Sequence, residues 1–192
     1  MARPREFDRD AVLGEAIKVF TSHGYEGAST QALLDRMGIS RQSLYDTFGD
    51  KRRLYLEALQ RYSSNSTAEI IGKMNSKASP RKGLEAALLS FAARPASAPE
   101  DGCLGVGAIS EFGRFDRDVN AVSDAAGSTM LSAFESLIGK GKAAGEFVAD
   151  LDAREAAQFI AATLAGIKVS ARGGATPETL RAVVRMALRS LE

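Results

Sequence analysis

Apolar residues recur along this chain with a period near 3.6 rather than 2, so helices are expected from end to end. Behind Asp8, a plausible N-cap, Leu13, Ala16, Ile17 and Phe20 follow the i, i+3, i+4, i+7 spacing of one buried face, and Gly24 ends the pattern. Ser29 or Thr30 can cap a short helix through Met37, where Gly38 supplies a left-handed turn. Ser40 then caps a third helix whose Leu44 and Phe48 lie four apart and face inward, leaving Arg41, Gln42, Tyr45 and Asp46 on the opposite side. Asp50 can cap a fourth, with Tyr55, Leu59 and Tyr62 as its stripe, which fades into the polar run SSNST.

The remainder also reads as helical. One helix opens at Ser79-Pro80, where proline occupies a first-turn position whose amide would be unbonded anyway. RPASAPEDG, residues 94 to 102, is the clearest loop. Helical patterns resume around Leu104 to Phe115 and Val119 to Ile138, ending in the glycine-punctuated GKGKAAGEF. Asp152 with Glu155 begins a further helix carrying Ile160, Leu164 and Ile167, and Thr176-Pro177-Glu178 begins the last, with Leu180, Val183, Val184, Ala187, Leu188 and Leu191. No stretch reads convincingly as a strand and no internal repeat is visible. The expected fold is all-α in two parts, about residues 1 to 60 and 61 to 192.

Composition narrows the possibilities. With 192 residues and 45% hydrophobic content the chain can fill a real core, which argues against disorder. A formal net charge of +1 gives no global field toward nucleic acid or an anionic membrane, so such a role needs local clusters. The start MARPREFDRD lacks a signal-peptide core, and the longest uncharged apolar run falls short of the ~18 residues of a membrane span, so a cytoplasmic protein with no membrane partner is expected. Cys103 is the only cysteine and excludes an internal disulfide framework or a thiolate-rich zinc site. His23, the only histidine, suits the last turn of its helix and has no second ligand at metal spacing, so no metal is expected. GKGKAA matches a dinucleotide-binding string, but it follows a helix rather than a strand, and no cofactor is expected.

Two short helices joined by the turn Met37-Gly38-Ile39-Ser40 make a helix-turn-helix whose second helix can lie in the DNA major groove. Arg41 there matches guanine O6 and N7, and Gln42 matches the N6 and N7 edge of adenine. Ser43, Tyr45 and Thr47 can donate hydroxyls to phosphates, and Lys51 adds charge and amides at the start of the next helix.

On these residues the chain resembles the TetR family of bacterial one-component repressors. The shared pattern runs through Phe20, Gly24, Thr30, Gly38-Ile39-Ser40, Leu44-Tyr45, Phe48, Lys51 and Leu54. The resemblance spans residues 8 to 59 closely and rests on architecture beyond Leu59. It implies a homodimer whose N-terminal three-helix heads, residues 1 to 60, bind a near-palindromic operator DNA through Thr30, Arg41, Gln42, Ser43, Tyr45, Thr47 and Lys51. It also implies that residues 61 to 192 hold a small-molecule inducer and the dimer interface.

Within that second part, Phe91, Ile109, Phe112, Phe115, Met130 and Phe134 are candidates to line a ligand cavity, with Cys103 in the neighbouring run Gly102-Cys103-Leu104-Gly105-Val106-Gly107. Three glycines in six residues suggest a marginal helix end that shifts when a ligand packs beside it, and the expected inducer is apolar or amphipathic. Ala157, Ala161, Leu164, Val183, Val184 and Ala187 on the last two helices are the candidate dimer contacts, because their stripes look too broad for one core. Three rivals stay open. An enzyme is disfavoured by the lack of acid-base or phosphate motifs; a DNA-binding regulator without an effector and a thiol-sensing repressor acting through Cys103 are the others.

Overall fold

α1 (Arg9–Gly27) starts where Asp8 accepts hydrogen bonds from the amides of Asp10 and Ala11, which would otherwise be unpaired at the helix start. The same device opens α2 (Thr30–Met37) at Ser29, α3 (Arg41–Phe48) at Ser40, α8 (Ala153–Arg172) at Asp152 and α9 (Pro177–Arg189) at Thr176. Asp50 serves α4 (Lys51–Asn75) through the Arg53 amide, and Ser79 serves α5 (Pro80–Ala92) through the amide of Lys82. α6 (Leu104–Phe112) and α7 (Arg117–Ala143) complete the set. The computed structural model describes residues 7–92 and 103–192, and among the described residues every regular element is a helix. The loop expected at 94 to 102 and the first glycine of the hinge lie outside them.

Several helix ends differ from expectation for local reasons. α1 bends at Gly24, whose φ of 72° and ψ of −175° a side chain would resist, and continues to Gly27. α4 runs on through the polar SSNST to Asn75, because Ile70 and Met74 restore an apolar stripe after it. α6 stops at Phe112, with Gly113 in the left-handed region at φ 53°, so Phe115 lies in the turn beyond the helix. GKGKAA occupies the end of α7 and the residue after it, with no strand before it.

The chain divides into two units. The first holds residues 1–63 and 102–123, the second residues 64–101 and 124–192. The first unit is therefore larger than the expected head of residues 1 to 60: α6 and the start of α7 are packed into it. Leu104, Ala108 and Val119 are buried with Leu13, Phe20, Leu33, Leu44, Leu54 and Tyr55 in one core. Tyr25, Tyr55 and Phe112 meet there with ring centroids 5.0 to 5.6 Å apart. The second unit has its own core, in which Ile70, Leu84, Leu88, Phe134 and Ile138 pack with Ile160, Leu164, Val184 and Leu188. No described helix is long and apolar enough to cross a membrane.

Candidate nucleic-acid interface

The outward face of α3 is set by what its inward face buries. Leu44 is 1% exposed and Phe48 is buried too, packed with Leu33, Leu34 and Met37 of α2, which fixes the rotation of the helix about its axis. Arg41, Gln42, Tyr45 and Asp46 are consequently exposed, while Ser43 and Thr47 flank them half-buried. The turn before α3 is equally determined. Gly38 takes φ 65° and donates its amide to the Leu34 carbonyl at 2.9 Å, ending α2. Ser40 then accepts the Ser43 amide at 3.1 Å and shares a 2.9 Å contact with the Ser43 hydroxyl.

Thr30 stands half-buried as the first residue of α2, and Lys51 half-buried as the first of α4. The Lys51 ammonium rests 4.5 Å from the centre of the Tyr25 ring, a cation–π contact. Two side-chain pairs escaped the sequence analysis: Gln42 Nε2 donates to Asp46 Oδ1 at 2.8 Å on α3, and Gln31 Nε2 donates to Asp35 Oδ1 at 2.8 Å on α2. Their signal was the Gln-x-x-x-Asp spacing, which brings such residues together on any helix.

The start of α4 and the turn after Gly24 are tied to the segment around α6. Glu111 accepts the amides of Tyr25 and Glu26 at 2.8 and 2.7 Å, and its carboxylate fills the space against Gly24 where a Cβ would sit. Arg52 forks onto Asp116 at 2.7 and 2.9 Å and reaches Asp118 at 2.9 Å. The Arg52 hydrogen bond, assisted by the Val119 amide, holds the Asp116 carboxyl down at about 2, and the two aspartates raise the Arg52 guanidinium in turn. The Tyr55 hydroxyl is buried without a hydrogen-bond partner, and burial pushes its pKa up, with Glu111 and Asp116 adding to the effect. Glu15 lies lower than an ordinary glutamate because Lys18 and Arg36 donate to it.

The expected cavity residues are distributed between the two units. Phe112 belongs to the aromatic cluster of the first; Cys103 is half-buried just ahead of α6; Ile109 and Phe115, the latter 98% exposed, point to solvent. Ile109, Phe112 and Phe115 therefore share no single face, because α6 has ended before Phe115. Phe91 and Phe134 are buried in the second unit's core and Met130 packs against it. A shallow crevice of about 180 Å³ in that unit is lined by Ile71, Met74, Ala133 and Leu137 with Asn75, Ser136 and Lys140, and includes none of them.

Of the expected dimer contacts, Ala157, Leu164, Val184 and Ala187 are buried in the second unit's own core and Ala161 packs beside it, whereas Val183 is 40% exposed. What α8 and α9 present outward is Phe159, Val169, Val183 and Met186. Phe159, Ala162, Gly166 and Val169 recur at i, i+3, i+7, i+10, a second stripe beside the core one that sequence reasoning merged with it. Among the described residues no group of His, Cys, Asp or Glu could hold a metal ion.

The family model for bacterial regulatory proteins of the tetR family matches residues 12–58, and that for the tetracyclin repressor-like C-terminal domain matches residues 80–187. The HTH-type transcriptional regulator YezE of Bacillus subtilis (strain 168) is 44% identical over 84 residues, 44% of this chain and 43% of that protein. The HTH-type transcriptional repressor ComR of Escherichia coli (strain K12) is 27% identical over 192 residues, covering 97% of this chain and 90% of ComR. Among solved structures, a cysteine mutant of the TetR family transcriptional regulator CifR, in complex with 26-bp double-strand operator DNA, is 36% identical with a TM-score of 0.82, covering 98% of this chain and 99% of that one.

Proposed function

From the premise that this chain belongs to the TetR family of bacterial transcriptional regulators, which act by binding DNA and are not enzymes, we propose that it is a ligand-responsive repressor. It binds a near-palindromic operator as a homodimer and leaves it when a small apolar or amphipathic inducer is bound. The observation that carries the DNA-binding half is the capped and pinned α3, which leaves Arg41, Gln42 and Tyr45 exposed on one face. Arg41 and Gln42 read bases, while Thr30, Ser43, Tyr45, Thr47 and Lys51 serve the phosphates. Lys51 reaches a phosphate by leaving the Tyr25 ring, and its own amide lies at the N-terminus of α4, where a helix favours an anion.

Dimerisation uses the outward stripe of α8 and α9. Phe159, Val169, Val183 and Met186 are large apolar residues on neighbouring helices, and Gly166 between them lets a facing helix approach closely. Two-fold symmetry would present each copy's stripe to the same stripe of its partner.

The inducer acts by population shift, favouring a conformation whose heads no longer match successive major grooves. Glu111 and the Arg52–Asp116–Asp118 cluster support a route for this, since any displacement of α6 disturbs the turn at Tyr25 and the start of α4, on either side of the DNA-contacting elements. Selection from random duplexes, followed by footprinting, tests the reading. A protected two-fold site whose half-sites lie one helical turn apart or a multiple of it is expected; a single protected half, or none, overturns it.

A further inference from the structure

The Gln42–Asp46 pair lies on the outward face of α3, where both residues are exposed and neither caps the helix; helical spacing brings the two side chains together and adds little to the fold, but on this face the contact also sets what Gln42 presents outward. A glutamine amide is ambiguous to a base: turned one way it offers its oxygen, turned the other its nitrogen. Asp46 removes the ambiguity. A carboxylate only accepts, so the 2.8 Å bond fixes the NH₂ end toward Asp46 and leaves Oε1 together with the second N–H as the free edge. That edge is acceptor plus donor, the complement of adenine N6–H and N7. The carboxylate beside it has the opposite effect on guanine, whose major-groove edge carries two acceptors, O6 and N7, and no donor to satisfy an aspartate.

We propose that Asp46 is a specificity-determining residue that acts by positioning Gln42: it holds the amide in the adenine-reading orientation and excludes guanine from the same base step. The proposal rests on the reading of α3 as the base-reading helix. The Gln31–Asp35 pair, with the same spacing and the same 2.8 Å bond on α2, supplies an internal control, because it lies on the other helix of the helix-turn-helix, which crosses the backbone rather than entering the groove.

Two substitutions separate the two roles of Asp46. Asp46→Asn keeps an acceptor for the Gln42 amide but puts an N–H donor, which guanine can use, in place of the charge; Asp46→Ala removes acceptor and charge together. The experiment is equilibrium binding of the full-length protein to a duplex recovered by selection from a random pool, with each position then varied through all four bases. Gln42→Ala is expected to erase an adenine preference of about tenfold at one step of each half-site. Asp46→Asn should keep adenine preferred over thymine there but admit guanine, and Asp46→Ala should flatten the preference at that step by at least about threefold. Asp35→Asn should leave every step unchanged, and melting temperatures should stay at the parental value for all four variants. If Gln42→Ala alters no step, the base-reading role of Gln42 itself is wrong. If Gln42→Ala alters a step that Asp46→Asn and Asp46→Ala leave untouched, or if Asp35→Asn changes base preference as Asp46→Asn does, the positioning role of Asp46 is overturned while that of Gln42 stands.

Discussion

The outward face of α3 and the outward face of α8 and α9 differ in kind. α3 buries two residues and shows solvent a polar, hydrogen-bonding surface; α8 and α9 bury one apolar stripe and show solvent another, with Met186 62% exposed. The first suits a partner that is itself polar and ordered, such as the edges of base pairs, whose recognition depends on hydrogen-bond geometry. The second suits a partner that removes apolar area from water, worth roughly 25 cal/mol per Å² before the losses of association. A surface's polarity thus indicates its kind of partner only after the core-facing residues have been subtracted.

Neighbouring residues on α9 offer the sharpest way to break this comparison. Val184 is 1% exposed and Val183 is 40% exposed. A glutamate at Val184 buries an unpaired charge, so Val184→Glu is expected to cost more than about 3 kcal/mol and to unfold the second unit, seen as a lost cooperative melt. Val183→Glu, or Met186→Glu, should change stability by no more than about 0.5 kcal/mol and should appear as a folded monomer in sedimentation. Equal destabilisation by Val183→Glu and Val184→Glu would erase the distinction between the two stripes.

On α3 the corresponding subtraction removes Leu44. Leu44→Ala should cost about 2–5 kcal/mol by leaving a cavity under the helix, measured by denaturant unfolding, and should weaken binding to every DNA sequence together. A stable head that had merely lost base preference would contradict the view that Leu44 sets the helix's rotation.

A smaller effect concerns the acid limb of stability. Asp116 is held at about 2, against 3.8 for the free carboxyl, by Arg52 and by the amide of Val119. A carboxyl whose pKa is lower in the folded chain adds stability that is complete above roughly pH 4 and is lost as pH falls toward 2. Arg52 is more than a third exposed, so solvent screening keeps the pair's worth to about 1 kcal/mol or less. Asp116→Asn should therefore flatten the loss of stability between pH 4 and pH 2; an unchanged acid limb would mean that the cluster is energetically idle.

Much of this arrangement was legible in the sequence. Asp8, Ser29, Ser40, Asp152 and Thr176 mark helix starts by chemistry that acts within three residues, and Gly38 marks the turn by a backbone conformation that few other residues adopt. Leu44 and Phe48 define an inward face on a short helix with no competing apolar stripe, so the outward set follows by elimination. Elimination fails on α8 and α9, where two stripes coexist and Ala157, Leu164, Val184 and Ala187 belong to the core rather than to the outward face. It also fails around α6. Glu111 and Asp116 find their partners 85 and 64 residues away, and no local spacing announces such bonds. For the same reason Phe112 reads as cavity lining in the sequence, yet its ring packs on Tyr25 and Tyr55.

A division of labour in which α3 reads bases while Lys51 serves phosphates is tested by the salt dependence of binding to a selected operator and to random duplex for Arg41→Ala and Lys51→Ala. Lys51→Ala should weaken both DNAs alike and lower the slope of log K against log salt by about one. Arg41→Ala should cost about 1–3 kcal/mol on the operator, concentrated at one position of each half-site, with little loss on random duplex. Equal losses on both DNAs for both variants would contradict that division of labour.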